Sequence, residues 1–407
     1  MKNFSFFIKK IFFKRWILSI TLIFFLLSAN FLIFTAVRSL FLTRGGYDEM
    51  SRLNKNGIFV SNLDPSNAEF DVTSVEPKRI NGVYDYIDKN FKYALHNEGD
   101  LITIPNDKSM DVPLVYMNKE YYDLNGLKSK VGKKLYFDYS LKSDKIPVFV
   151  GAGLSKNYPI GAEIKTEIPA LGRKVTLKVQ GILKKNECHA NYYALNSMSY
   201  YNYSIIIPIN KEFFMKANSA FKVDTMLETI IINGSKESVS NLSKEIHDEW
   251  KIKVNFNSQK ENNEFFEDYY VYRMRLIVIL TIIFLAIIIG VSIWNAVVCV
   301  RLMKKDFTIN LLVGMSYKEL KKILYKSFAI IFTLNILVVS VYSAMCRVIA
   351  WKSKNALVAS YGFLGLASNE WLGVLAMILV DSLIGVIIVE CIVKRIKKIP
   401  ISLGVMQ

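Results

Sequence analysis

Four long apolar stretches set the limits on what this chain can fold into. They run Trp16–Val37, Leu276–Val300, Ser327–Trp351 and Trp371–Val393, each 22 to 25 residues long. A helix crosses the ~30 Å hydrocarbon layer in about 20 residues, so each stretch is long enough to span. A long polar stretch, Arg38 to Arg275, separates the first from the other three. The expected fold is therefore a membrane protein of mixed α+β class. Four transmembrane helices carry a large α+β extracytoplasmic domain between helices 1 and 2. The segments are a cytoplasmic N-terminal piece (1–15), span 1 (16–38), the extracytoplasmic domain with its stalk (39–272) and span 2 (273–300). A cytoplasmic coupling loop (301–326), span 3 (327–351), a short outer loop (352–370), span 4 (371–393) and a cytoplasmic tail (394–407) follow.

The formal charge of +17 first invites a nucleic-acid partner, but its location argues against one. Residues 1–15 carry five basic residues and no acid. Arg301–Lys326 carries seven basic residues against Asp306 and Glu319, and the tail after Val393 carries four, so these segments hold +14 of the +17. Short basic flanks mark the cytoplasmic side. With four spans, the N-terminus, the second loop and the C-terminus share that side, so charge and span count agree. The basicity expresses topology; membrane lipid is the expected partner and nucleic acid is not. The first span has an apolar core longer than the about 7–15 residues of a signal peptide. It lacks a small-residue cleavage pattern (Ser28-Ala29-Asn30-Phe31), so an uncleaved anchor is expected.

Cys299, Cys346 and Cys391 lie in or beside spans, leaving Cys188 alone in the outside domain, without a disulfide framework. Cys188-His189 has no evident role, since a metal site needs more ligands close by. Asn3–Phe13, rich in Phe with Lys9 and Lys10, suits either an interfacial amphipathic helix or an extension of span 1. In the outside domain, Ile146–Val150, Val175–Val179, Ser204–Pro208, Glu228–Ile232 and Lys251–Phe256 have strand patterns. Ser235 can cap a helix that sets Val239, Leu242, Ile246 and Trp250 on one face. Glu264–Arg275 runs without a breaker into span 2 as a stalk. A matching extension of span 1 through Phe41 is expected to stop at Gly45-Gly46.

The loop between spans 2 and 3 is the most legible short segment. Arg301–Val313 is helix-compatible, Gly314 offers a left-handed stop, and Ser316-Tyr317-Lys318-Glu319 fits a capping box before a basic helix. Helix, tight turn, helix with positive charge suits docking of a cytoplasmic protein, or a plain basic turn that satisfies the charge rule.

With Arg301-Leu302-Met303-Lys304-Lys305-Asp306 leading to Leu312-Val313-Gly314-Met315-Ser316, the chain resembles the MacB/FtsX family of ABC-transporter permeases. That family has one span, a large outside domain and three further spans. Its loop pattern is R-x-x-E-I-x-x-L-x-A-L-G-A-S. Gly314 and Ser316 match its ending, and Asp306 stands where the family usually has Glu. Arg301 falls two residues before the pattern's Arg and Lys304 one after it. The tail, basic from Lys394-Arg395 and then Pro400, is similar too. So are Ile146–Leu154, Pro159-Ile160-Gly161, Val175–Ile182 and Ile206-Ile207-Pro208, in the order of the MacB periplasmic core.

The resemblance implies a MacB-type permease subunit without a fused ATPase. It would work as a homo- or heterodimer with a cytoplasmic ABC ATPase, and an extracytoplasmic adaptor can join it. Arg301, Lys304, Lys305, Asp306, Leu312, Gly314, Ser316, Lys318 and Glu319 would couple to that ATPase. ATP and Mg would sit on the ATPase, with no cofactor bound directly by this chain. Peptides, antimicrobials or lipoproteins are the implied substrates. The alternatives are an FtsX-like mechanotransmitter that activates an extracellular enzyme and an ATP-independent membrane receptor.

No catalytic site is expected. The nearest run to a P-loop, Gly126–Lys134, has the wrong glycine spacing and Lys134 in place of Ser or Thr. His96, His189 and His247 are scattered, so no metal site is expected. Asp381 near the centre of span 4 is a membrane-embedded acid. It serves either a proton or substrate role or a hydrogen bond to Asn335 or Asn30. Glu390 is expected to pair with Lys394 one turn on.

Overall fold

A computed structural model describes residues 16–67, 75–105, 107–143, 145–195, 197–268, 272–302, 309, 311–352 and 368–398. Its described residues form two compact units. A helical unit draws on the described residues within 16–41, 272–345 and 368–398, and a β-rich unit on those within 42–268 and 346–352.

In the β-rich unit, α1 is the helix Trp16–Met50, whose last turns lie here. Then come β1 (Phe59–Leu63), α2 (Pro77–Asn90), β2 (Lys92–Ala94), β3 (His96–Ile104), β4 (Asp107–Met117), α3 (Lys119–Asn125) and β5 (Ser129–Gly132). They are followed by β6 (Lys145–Val150), β7 (Glu163–Ile168), β8 (Arg173–Leu183), β9 (Cys188–Ala190), β10 (Met198–Tyr200) and β11 (Ile205–Pro208). The unit continues with α4 (Lys211–Lys216), α5 (Ser219–Leu227), β12 (Ile230–Ile232), α6 (Lys236–Trp250), β13 (Val254–Asn257) and α7 (Gln259–Phe266).

Among the described residues the larger sheet has the order β3-β4-β11-β6-β8-β5, with β7 on β8, and the smaller one the order β13-β1-β12-β2. β9 and β10 form a separate antiparallel ribbon. β11 lies parallel to β4 and antiparallel to β6, and all its residues are buried. A strand covered on both faces is continuously apolar, as Ile205–Ile207 is. β8 alternates instead: Val175, Leu177, Val179, Gly181 and Leu183 are buried and the residues between them are more exposed.

The strands expected at 146–150, 175–179, 204–208, 228–232 and 251–256 all form, within a few residues of those bounds. The expected helix forms as α6. Ser235 Oγ accepts from the Ser238 amide at 3.1 Å, and Val239, Leu242, Ile246 and Trp250 are buried. They share one core with Ile80, Val83, Tyr84 and Ile87 of α2.

Gly45-Gly46 does not stop α1, which runs on to Met50. The glycines serve close approach. A Cβ on Gly46 would overlap the Leu195 carbonyl oxygen, and one on Gly45 would lie 3.2 Å from Met198 Cε, on the ribbon side. The Tyr47 hydroxyl donates to Glu267 Oε1 at 3.1 Å, and its ring meets Phe266 edge-on, so the end of α1 and α7 are joined. The expected run of the second stalk into span 2 passes through residues 269–271, outside the described residues.

The helical unit holds the earlier part of α1 with α8 (Tyr272–Leu302), α9 (Tyr317–Lys352) as far as Met345, and α10 (Ser368–Lys397). Three described segments are long and apolar enough to cross a membrane: Ile20–Leu53, Tyr317–Cys346 and Glu370–Lys397. In α8 the described apolar stretch is the shorter Val278–Val291. Leu22, Leu26, Leu320, Leu324, Phe328, Phe332, Ile384 and Ile388 form one buried cluster across α1, α9 and α10. Small residues let these helices close up. A Cβ on Gly373 would lie 2.9 Å from the Phe34 ring, and one on Gly385 would lie 2.8 Å from the Phe332 ring. Arg38 pairs with buried Glu370 at 3.3 Å.

Two glycines give opposite expectations. A methyl added to Gly82, in α2, would have nothing within 4 Å, so Gly82→Ala should stabilise by about 1 kcal/mol through helix propensity. Gly46→Ala should destabilise despite the same propensity gain, because the added methyl meets backbone. Thermal unfolding of the two variants checks the sign of each.

Candidate functional site

The segment expected to couple to a partner begins where α8 ends, at Arg301-Leu302. Lys304, Lys305 and Asp306 lie outside the described residues, as does Pro400 of the tail. From Leu311 onward the turn is described. The Val313 amide donates to Ile309 O at 3.0 Å and the Gly314 amide to Leu311 O at 3.1 Å. Gly314 has φ +100°, a conformation that suits glycine. Ser316 Oγ accepts from the Glu319 amide at 3.2 Å, and the Ser316 amide donates to Glu319 Oε2 at 3.0 Å. This reciprocal pair is the capping box expected from the spacing, and it starts α9 directly after the turn.

The turn sorts its apolar residues. Leu311, Met315 and Tyr317 pack against the buried cluster, while Leu312 is 57% and Val313 83% exposed. Both precede the apolar window Tyr317–Cys346. They stand beside exposed Lys318 and Glu319. Leu312 and Val313 are thus two apolar side chains left exposed on a capped turn.

The packing of α9 on α10 fixes the base of this turn. Lys321 forms an ion pair with Glu390, the Tyr325 hydroxyl donates to Glu390 Oε1 at 3.4 Å, and Lys397 Nζ lies 5.6 Å from the Tyr317 ring centre. The expected Glu390–Lys394 pair therefore gives way to a pair between helices, because the packed faces bring Lys321 across to Glu390.

Asp381 is buried, and Asn30 Nδ2 donates to its Oδ2 at 2.9 Å. Asn335 donates to Ile331 O at 3.1 Å instead. Of the two expected asparagines, α1 supplies the partner. A carboxyl satisfied by an asparagine on a neighbouring helix has a structural reason to be there.

The scattered-histidine expectation is corrected for two of the three residues. His96 and Glu98 stand two apart on β3, and the β9–β10 ribbon brings His189 beside them. His96 Nε2 lies 3.1 Å and His189 Nδ1 3.4 Å from Glu98 Oε1. His96 Nδ1 lies 3.7 Å from Glu228 Oε2. His96 stacks on Tyr121 at 4.4 Å between ring centres, and the Tyr201 hydroxyl lies 2.7 Å from His189 Nδ1.

Charge is unevenly distributed in this cluster. Burial disfavours a charged His96, yet Glu228 and Glu98 outweigh it and push the imidazole up to about 9. Burial dominates at His189 and takes it down to about 4. Burial also favours a neutral Glu98, but the two histidines outweigh it and hold the acid down to about 2. Burial pushes the thiol of Cys188, next in sequence, up to about 12. The pair at positions 96 and 98 is visible in the sequence; no local spacing connects His189 to it.

Within the Gly126–Lys134 run, Ser129–Gly132 form β5, paired with β8, and no helix directly follows it as it would a phosphate-binding loop. It therefore lacks the geometry of a phosphate-binding loop.

The capping box sets a measurable quantity. Ser316→Ala removes the acceptor of the Glu319 amide at a typical loss of about 1 kcal/mol. Amide hydrogen exchange in the first turn of α9 should quicken about fivefold, with the middle of α9 unchanged.

No protein-family model and no curated protein matches the chain. Among solved structures it is similar to the periplasmic region of MacB from Actinobacillus actinomycetemcomitans, at 11% identity and TM-score 0.34, over 55% of this chain and 97% of that one. It is also similar to the extracellular domain of the noncanonic ABC-type transporter YknZ from Gram-positive bacteria. There the identity is 16% and the TM-score 0.30, over 49% of this chain and 98% of that one. Both TM-scores are below the level at which a shared fold is inferred.

Proposed function

We propose that this chain is the membrane subunit of an ATP-driven transporter of the MacB type, with its β-rich unit outside the cell membrane and both termini in the cytoplasm. The observation that carries the proposal is the capped turn at Gly314, which holds Leu312 and Val313 exposed ahead of a long apolar helix. A separate cytoplasmic ATPase grips that turn. The basic residues Arg301, Lys304, Lys305 and Lys318 complement acidic groups on it, and Asp306 meets a basic one.

The subunit works as a pair, so that two ATPases face each other and close on ATP. Closure moves the turn, the rigid helices carry the motion, and the outside domain changes its grip on cargo. The sequence layout supports four spans, with α8 as the second. α1 supports transmission mechanically, because it continues without a break through Gly45-Gly46 to Met50. The cargo class under this reading is a peptide, antimicrobial or lipoprotein taken up at the outer face.

Full-length chain purified from its own cell membranes should bring down a nucleotide-hydrolysing subunit. Leu312→Asp with Val313→Asp should reduce that recovery at least tenfold, as burying a charge in an apolar contact is costly. Charge reversal at Lys304, Lys305 and Lys318 should weaken it most at low salt, where the charges are least screened. Recovery of no ATPase, or unchanged recovery in all variants, would favour the receptor alternative. Activation of an extracellular hydrolase without cargo movement would favour the mechanotransmitter.

A further inference from the structure

We propose that His96, Glu98 and His189 form a binding site for a divalent transition-metal ion, Zn²⁺ being the natural occupant of such a donor set, and that the ion clamps the β9–β10 ribbon to β3. One ligand atom from each residue lies within 4.8 Å of the others. Tetrahedral bonds of about 2.0–2.1 Å to nitrogen and oxygen place neighbouring ligand atoms about 3.3–3.4 Å apart. The pairs measured from Glu98 Oε1, 3.1 Å to His96 Nε2 and 3.4 Å to His189 Nδ1, are within a few tenths of an ångström of that spacing, and all three ligand atoms lie within 4.8 Å of one another.

The surroundings have the features of a prepared site. His96 presents Nε2 to the centre, while its Nδ1 faces Glu228 Oε2 at 3.7 Å. A carboxylate behind a ligating imidazole fixes its orientation and raises its basicity. Stacking on Tyr121 holds the His96 ring plane. The Tyr201 hydroxyl lies 2.7 Å from His189 Nδ1 and also bonds Glu98, so on metal binding it would turn from that nitrogen to Glu98 and leave the Nδ1 lone pair to the ion. Both imidazoles are buried, whereas the Glu98 side chain is 28% exposed and gives an entry path. Two imidazoles and one carboxylate suit zinc better than magnesium or calcium, which take oxygen ligands.

The site's position gives the ion a task. The ribbon has few contacts of its own sheet, since among the described residues β9 and β10 pair only with each other. Yet Leu195, between those strands, and Met198 of β10 are the residues that Gly46 and Gly45 of α1 approach. An ion joining His189 to His96 and Glu98 therefore stiffens the ribbon on which the last turns of α1 pack. This inference is independent of the transport reading, because it concerns metal held by the β-rich unit alone.

The test uses the untagged full-length chain in detergent, stripped by a chelator and titrated with Zn²⁺ against a chromophoric competitor. One ion per chain is expected, with tetrahedral visible absorption when Co²⁺ replaces Zn²⁺. Glu98→Gln and His189→Gln should each weaken binding at least tenfold, and Glu228→Gln by about 10–100-fold as an outer-shell loss. His247→Gln should leave it unchanged. Thermal unfolding without metal shows which variants fold. Zn²⁺ should raise the midpoint of the wild type and not that of Glu98→Gln, whose partly exposed site keeps the test open if His189→Gln misfolds. Absence of stoichiometric binding in the wild type, or equal binding in Glu98→Gln and the wild type, overturns the proposal.

Discussion

A chain segment in hydrocarbon has no water to satisfy its backbone, so it must be helical, and everything polar must find a partner or leave. That constraint organises the helical unit. Its three apolar segments keep their peptide groups bonded within α1, α9 and α10. Asn30 partners Asp381, Arg38 partners Glu370, and Lys321 partners Glu390. What remains unpartnered and apolar at the turn, Leu312 and Val313, is then conspicuous, since neither the buried cluster nor the described apolar windows contain it.

Under the proposed transport function, the same helices would carry the motion. Long, internally bonded helices are stiff, and a capped turn transmits force better than a frayed one. Gly314 and the Ser316–Glu319 box remove the slack that an uncapped helix start would leave. Within the β-rich unit, the end of α1 is held by Phe266 and Glu267 through Tyr47, and by the ribbon at Gly46. A metal clamp on that ribbon would make the seat of α1 more rigid.

Much of this is legible in the sequence because it depends on local pattern. Apolar length marks the spans, alternation marks β8, three-and-four spacing marks α6, and the Ser-x-x-Glu spacing marks the turn. The features that local pattern misses share a cause. Gly45-Gly46 looks like a break, but the glycines answer to Leu195 and Met198, far along the chain. β3 escapes a pattern search because its polar start, His96-Asn97-Glu98-Gly99-Asp100, hides the alternation that Ile102 and Ile104 show. α2 is absent from the expected elements, although Pro77 at its start and Ile80, Val83, Tyr84 and Ile87 along it carry the signal. His189 joins His96 only through a ribbon folding onto a sheet, which no spacing encodes.

The central claim is that the Gly314 turn meets an ATPase in the cytoplasm. A photo-cross-linker in place of Val313, activated in intact cells, tests it most directly. The account predicts one dominant adduct with a nucleotide-hydrolysing subunit, formed at a residue closed to membrane-impermeant reagents from outside. Labelling of that position from outside the cell, or an adduct with no ATPase in it, would contradict the account.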